Sequence, residues 1–344
     1  MTETTTFMRA EVLDIPAATR RFLEGGRDEI ARAAAAMRAA APGLVVTVAR
    51  GSSDHAATYL KYAVELTAGL PVASVGPSVA SVYGRRLRLG KAACVGISQS
   101  GQSPDIVEMM RQCKAGGALA LAITNFDRSP MAAACDHTLA LRVGPERSVA
   151  ATKTFVVSVL AALALLAEWQ EDEGLRGAVA AAPEAFKRAL ACDWSPLADR
   201  LDGAESLFVL GRGPGFAIAS EMALKFKETC GLHAESYSAA EVLHGPAALA
   251  RERFPVLALG VEDAALPGVV ATAERLVGQG ADVFLTAVGA APPVTPLPSV
   301  GGLHPLLAPL ALVVSFYVFI EALARRRGLN PDEPPYLRKV TETV

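Results

Sequence analysis

The chain repeats itself, and this constrains its fold more than any other feature of its 344 residues. Residues 44–57, LVVTVARGSSDHAA, and residues 206–221, SLFVLGRGPGFAIASE, share one plan: an apolar run, then Arg-Gly, then a helical pattern. Arg50 and Arg212 are 162 residues apart. Residues 93–110 and 255–272 form a second pair, with Gly96 and Gly260 164 apart. The helices that follow end in similar turns at Gly116 and Gly280, again 164 apart, and short apolar strands come next, ALALAIT and DVFLTAV. Two long apolar runs also correspond, Phe155 and Tyr317 being 162 apart. Apolar strands without alternation are the mark of strands buried on both faces. Such strands alternating with helices predict a parallel sheet covered on each side. The expected fold class is α/β, with two copies of one unit, each a doubly wound parallel sheet flanked by helices.

The repeat also sets the expected boundaries. Residues 1–24 form an N-terminal helical segment, 25–170 the first unit, 171–200 a helical link and 201–334 the second unit. Residues 335–344 close the chain as a polar, extended tail. Hydrophobic residues make up 51% of the chain, enough for two cores. The balance of 33 Lys+Arg against 35 Asp+Glu gives a net charge of −2. Nucleic-acid binders usually carry a basic surplus, so no nucleic-acid partner is expected.

Five scattered cysteines with no CxxC pair argue against a disulfide framework or a zinc site. A reduced cytoplasmic protein is the expectation. The N-terminus, MTETTTFMRAEVLDIP, lacks an apolar h-region, so no signal peptide is expected. The runs Phe155 to Ala167 and Leu306 to Ile320, the latter with Pro309 inside, fall short of the ~20 residues that span a bilayer. They are expected as buried core or interface helices, with no membrane contact.

Ligands of doubly wound sheets sit at the carboxyl ends of strands, beside helix N-termini. Two stretches have that placement. Ser98, Gln99, Ser100, Gly101, Gln102 and Ser103 follow the strand ACVGI and precede a helix, with Ser103 as N-cap and Pro104 at the first helical position. Three hydroxyls and two side-chain amides at the positive end of a helix suit a phosphate. An ordinary serine-rich loop over a capped helix has the same pattern. Arg50, Gly51, Ser52 and Ser53 occupy the matching place after the preceding strand. The second copy has GRGPGFA and GVEDAAL there, so folding alone does not require the serines. The first copy is therefore expected to keep the anion site.

A third stretch carries acid–base groups. Glu221, Lys225 and Glu228 lie at i, i+4 and i+7 and share one helix face. A surface salt-bridge ladder has the same spacing. The segment after it, HAESYSAAEVLHGP, holds His233, Glu235, Tyr237, Glu241 and His244 within twelve residues. An imidazole near a carboxylate is a workable acid–base pair near neutral pH. His233 and His244 lack a third ligand, so no metal is expected. Lys339 near the C-terminus is either a solvated charge or an amine able to form a Schiff base.

These residues carry a resemblance. SQSGQSPD (98–105), ARGSSDHA (49–56), VAATKTF (149–155), EMALKFKE (221–228), HAESYSAAEVLHGP (233–246) and PYLRKVT (335–341) occur in the order found in the tandem sugar isomerase (SIS) family. The chain is similar to the isomerase half of glucosamine-6-phosphate synthase over about 300 residues. The resemblance implies two tandem SIS domains of the flavodoxin-like kind. It implies that Ser98, Gln99, Ser100 and Ser103 hold the sugar phosphate, and that Ser52, Ser53 and the backbone from Val149 to Ala151 hold sugar hydroxyls. Glu228 would move the proton between C1 and C2, and Lys339 would face C2 as the Schiff-base lysine. His244 would open the pyranose ring from the neighbouring subunit of a homodimer with shared active sites. Glu221 and Lys225 would support that chemistry.

Two departures stand out. Thr2 follows Met1, where the synthase has a catalytic cysteine, and the first α/β unit starts by about residue 30, so no glutaminase and no glutamine-derived ammonia are expected. Gln102 and Ser103 stand where the family often has Glu and Thr, which keeps the donors. The expected activity is a deaminase, converting glucosamine 6-phosphate and water to fructose 6-phosphate and ammonia without metal or organic cofactor. Related expectations are a galactosamine-6-phosphate deaminase, a fructosamine-6-phosphate deglycase or an aldose–ketose phosphosugar isomerase. A non-catalytic phosphosugar-sensing module would need the serine loops but not Glu228, His244 and Lys339 together.

Overall fold

The computed structural model describes residues 5–339. It divides into two compact units. One holds residues 15–146, 153–181 and 338–339, and the other holds 5–14, 147–152 and 182–337.

The first unit is built on strands β1 (Leu44–Val48), β2 (Val72–Ser74), β3 (Ala92–Ile97), β4 (Leu119–Thr124) and β5 (His137–Ala140). All neighbouring pairs are parallel, in the order β2-β1-β3-β4-β5. The second unit holds β6 (Ser206–Gly211), β7 (His233–Ser238), β8 (Pro255–Ala258), β9 (Asp282–Leu285) and β10 (Thr295–Pro296). Its order is β10-β9-β8-β6-β7, again all parallel. Counted from the first strand of each sheet, both follow the flavodoxin-like order 2-1-3-4-5. Burial explains the apolar strands: all six residues of β3 and five of six in β4 and β6 are buried.

The backbone carries the repeat into detail. Gly51 and Gly213 precede equivalent helices, Ser52–Thr67 and Pro214–Cys230, with the same φ of 57° and ψ of −134°. Glycine alone adopts such a conformation without strain. One pairing shifts. The turn glycine matching Gly280 (φ 95°) is Gly117 (φ 98°), one residue beyond the expected Gly116.

Domain limits differ from the expectation at three places. Helix Phe7–Leu13 belongs to the second unit and helix Ile15–Gly25 to the first, so the N-terminal segment is not one piece. The Asp332 carboxylate fixes the former by accepting the N–H groups of Phe7 and Met8 at 2.8 and 2.7 Å. Helix Glu173–Ala189 in the expected link is likewise divided between the units at Ala182. Residues 338–339 belong to the first unit.

The long apolar runs extend into helices Lys153–Gln170 and Ala308–Arg326, of 18 and 19 residues. They are thus long and apolar enough to cross a membrane by length and composition, which the shorter runs were not. Their most apolar windows are 89% and 78% buried inside the protein. Pro309 lies in the first turn of its helix rather than inside it, where its missing N–H is harmless. All five cysteines are free thiols. Burial pushes Cys135 up to about 12, and Cys230 up to about 11.

Candidate active site

In the first unit, sheet order reverses between β1 and β3, and both serine stretches leave the carboxyl ends of those two strands. Such a switch point is where doubly wound sheets bind ligands. The Ser98–Ser103 loop is folded by its own groups. The Ser98 hydroxyl accepts the N–H of Gly101 at 3.2 Å, and the Ser100 hydroxyl accepts that of Gln102 at 3.2 Å. The Gln99 carbonyl accepts the N–H of Asn125 and the hydroxyl of Thr124, at 3.1 and 3.2 Å, so the end of β4 braces the loop. Ser103 is the N-cap residue of helix Pro104–Ala115, as its position foretells, but its hydroxyl makes no capping hydrogen bond. Ser52 and Ser53, half-buried, open helix Ser52–Thr67. Arg50 forms an ion pair with Asp105, whose side chain is fully buried in the first turn of helix Pro104–Ala115. That pair ties the two serine loops together.

Gly101 bends the loop back on itself with φ of 61°. A Cβ there would lie 2.3 Å from Ser129 Oγ. Gly101→Ala is expected to lower stability by at least about 1–2 kcal/mol, the left-handed penalty alone, and to weaken phosphosugar binding. Urea unfolding and isothermal titration measure the two effects, and an unchanged affinity would separate this loop from the ligand.

In the second unit, helix Pro214–Cys230 positions Glu221, Lys225 and Glu228. Lys225 Nζ lies 3.0 Å from Glu221 and 2.7 Å from Glu228. The ladder is not a surface feature. The side chains of Glu221 and Lys225 are 0% exposed, and Glu228 alone reaches solvent at 22%. Tyr317, fully buried on helix Ala308–Arg326, donates its hydroxyl to Glu221 at 2.9 Å. Burial opposes the Lys225 ammonium, but the Glu221 and Glu228 carboxylates outweigh it and raise its pKa above the ordinary lysine value.

Strand β7 separates the two histidines. His233 sits at its amino end, where its Nδ1 is 3.1 Å from Ser206 Oγ. His244 lies beyond the carboxyl end, exposed on the short 3-10 helix Glu241–His244. Six strand residues cover ~20 Å, so the cluster suggested by sequence proximity is pulled apart. Glu235 instead accepts the Tyr237 hydroxyl at 2.8 Å. Val149 and Ala151 lie in the 147–152 segment, fixed by Glu11, which accepts from Ser148, and by Asp332, whose carbonyl takes the Val149 N–H at 3.0 Å. The Val149 N–H is thus already committed.

In the first unit, Lys339 pairs with Glu146 at 2.8 Å. Glu146 was not singled out by sequence, and Tyr317 was noted only as the repeat partner of Phe155. Tyr317 stood in plain view as a polar tip within an apolar run. Among the described residues, no group of three or more His, Cys, Asp or Glu side chains could hold a metal ion.

Fold, repeat and loops together define a tandem, doubly wound α/β protein with serine-rich loops at the switch point of its first sheet. The SIS domain model matches residues 42–168 and 200–285, and the chain belongs to the SIS domain family. The glutamine–fructose-6-phosphate aminotransferase (isomerizing) of Aeropyrum pernix is 34% identical over 98% of this chain, which spans 57% of that relative's length. A crystal structure from Silicibacter pomeroyi, of a protein assigned to the phosphosugar isomerases, is 52% identical with a TM-score of 0.92, covering 95% of this chain and all of that one. A glucosamine-6-phosphate deaminase from Thermotoga maritima has the same fold, with 20% identity, a TM-score of 0.79 and coverage of 98% and 100%.

Proposed function

We propose that this SIS-family protein is an amino-sugar phosphate deaminase/isomerase, converting glucosamine 6-phosphate and water to fructose 6-phosphate and ammonia. The observation that carries the reading is the Glu221–Lys225–Glu228 ladder. Two of its members are sealed in the core, and one carboxylate is presented outward. A surface ion-pair ladder has no reason to bury a lysine between two acids. A base that must hold one geometry and one charge does.

In this reading the serine loop, Ser98 to Ser103, takes the phosphate through neutral donors, and Ser52, Ser53, Val149 and Ala151 meet sugar hydroxyls. His244 transfers the proton that opens the ring to the aldehyde. Glu228 removes the C2 proton, O1 gains a proton, and the enolamine forms. Glu228 then returns its proton to C1, leaving an imine at C2. Water adds to C2 and ammonia departs, directly or after Lys339 has displaced it by transimination. Binding the phosphate far from C1 and C2 supplies orientation. His244 is exposed, which accords with service to a neighbouring subunit in a homodimer. The proposed setting is the cytoplasm, with a small sugar phosphate as the partner.

The 52% identity to a protein assigned to the phosphosugar isomerases favours a second reading, aldose–ketose isomerisation without loss of nitrogen. One assay separates them. The protein is offered glucosamine 6-phosphate, galactosamine 6-phosphate and a fructosamine 6-phosphate, without glutamine. Ammonia and fructose 6-phosphate from the first are expected. Interconversion of a neutral hexose 6-phosphate with no ammonia from any amino sugar would replace the deaminase by the isomerase.

A further inference from the structure

We propose that Glu146 is the positioning residue that latches the C-terminal tail and fixes where Lys339 presents its amine. This rests on the reading of Lys339 as the group that meets C2. The Glu146 side chain is 0% exposed. One of its oxygens lies 2.8 Å from Lys339 Nζ, and the other accepts the N–H of Thr154 at 3.0 Å. Thr154 is the second residue of helix Lys153–Gln170. The carboxylate therefore sits at the positive end of an 18-residue buried helix, which holds the anion and removes its freedom to rotate.

The other half of the pair comes from 193 residues away. Residues 328–339 contain no helix or strand, so no secondary structure of their own fixes Lys339. A buried carboxylate strongly demands a counter-charge. Here a lysine on an irregular segment helps to meet that demand, and the contact helps to set the lysine's position. A lysine that were only a solvated charge would have no call for a fully buried partner hydrogen-bonded to a rigid helix start.

The test reads the tail and the amine separately. Trypsin cleavage at Arg338 and Lys339 reports the latch, and borohydride trapping of fructose 6-phosphate, located by mass spectrometry, reports the amine. Glu146→Gln should be cut several-fold faster than the parent protein and should lower the adduct at Lys339 by about 10²-fold, as expected of a displaced reacting group. Deuterium exchange at C1, which belongs to Glu228, should change far less. Glu146→Asp, which keeps the charge, should restore part of the adduct. Should Glu146→Gln not fold, the lysine side decides: Lys339→Arg should keep the tail protected and Lys339→Met should expose Arg338 to cleavage. Equal cleavage of these two variants, or unchanged adduct in a folded Glu146→Gln, would overturn the latch. A parent protein with a protected tail and no adduct would instead overturn the Schiff-base reading and leave the latch standing.

Discussion

Glu228→Gln is expected to lower turnover of glucosamine 6-phosphate by about 10²–10⁴-fold, the usual contribution of a positioned general base, while KM stays within a few-fold. The amide is nearly isosteric, and its oxygen can still accept from Lys225, which now sits 2.7 Å away. Lys225 also keeps Glu221 at 3.0 Å, so the buried end of the ladder survives. What the amide cannot do is take a proton from carbon. The sharper readout is therefore exchange of the C1 and C2 hydrogens with deuterated solvent, which should vanish although the sugar phosphate still binds. Exchange persisting within tenfold of the parent rate would assign the base elsewhere. Glu221→Gln gives the contrast, because Glu221 is sealed from solvent and should act on stability before it acts on exchange.

That contrast marks how far the sequence reached. The 162- and 164-residue spacings were enough to give two parallel sheets, because doubly buried strands and the Arg-Gly turns that leave them have few ways to be written. The repeat left the strand order open, and the flavodoxin-like order came only with the family resemblance; in the structure both serine stretches fall at the switch point of the first sheet. Spacing placed Glu221, Lys225 and Glu228 on one face, yet it could not say which carboxylate was outward. A period of 3.6 fixes direction around a helix, and what lies opposite comes from elsewhere in the chain. Here Tyr317, 96 residues from Glu221, covers that acid and leaves Glu228 open. The same limit hid Glu146, whose partner is 193 residues distant. It also misled over His233 and His244, where closeness in sequence ran along an extended strand. Local pattern reads what local geometry determines, and the contacts that choose among equivalent residues here are long-range.

The largest effect on stability is expected from Lys225→Met, at about 3–5 kcal/mol, the range for removing one member of a buried ionic group. Methionine nearly fills the volume, so the loss is electrostatic. It leaves Glu221, with 0% of its side chain exposed, facing Glu228 with no cation between them. In the parent protein the folded Lys225 pKa is raised, so its contribution is fully present below the unfolded lysine value of about 10.4. It is lost only as pH rises through the still higher folded value. Neutral solution is thus where the parent is fully stabilised and where the variant suffers most. Lowering the pH toward the carboxylate range should narrow the gap, because a protonated carboxyl needs no counter-charge. Adding Glu221→Gln to Lys225→Met should recover part of the loss, since residues in one ionic network do not act additively. Urea titrations of the four proteins in that cycle measure the coupling directly. A loss under about 1 kcal/mol for Lys225→Met, or strict additivity in the cycle, would mean that the ladder behaves as solvated ion pairs. The case for Glu228 as a base held by its neighbours would then fail with it, because the argument for that role begins from the burial of Lys225.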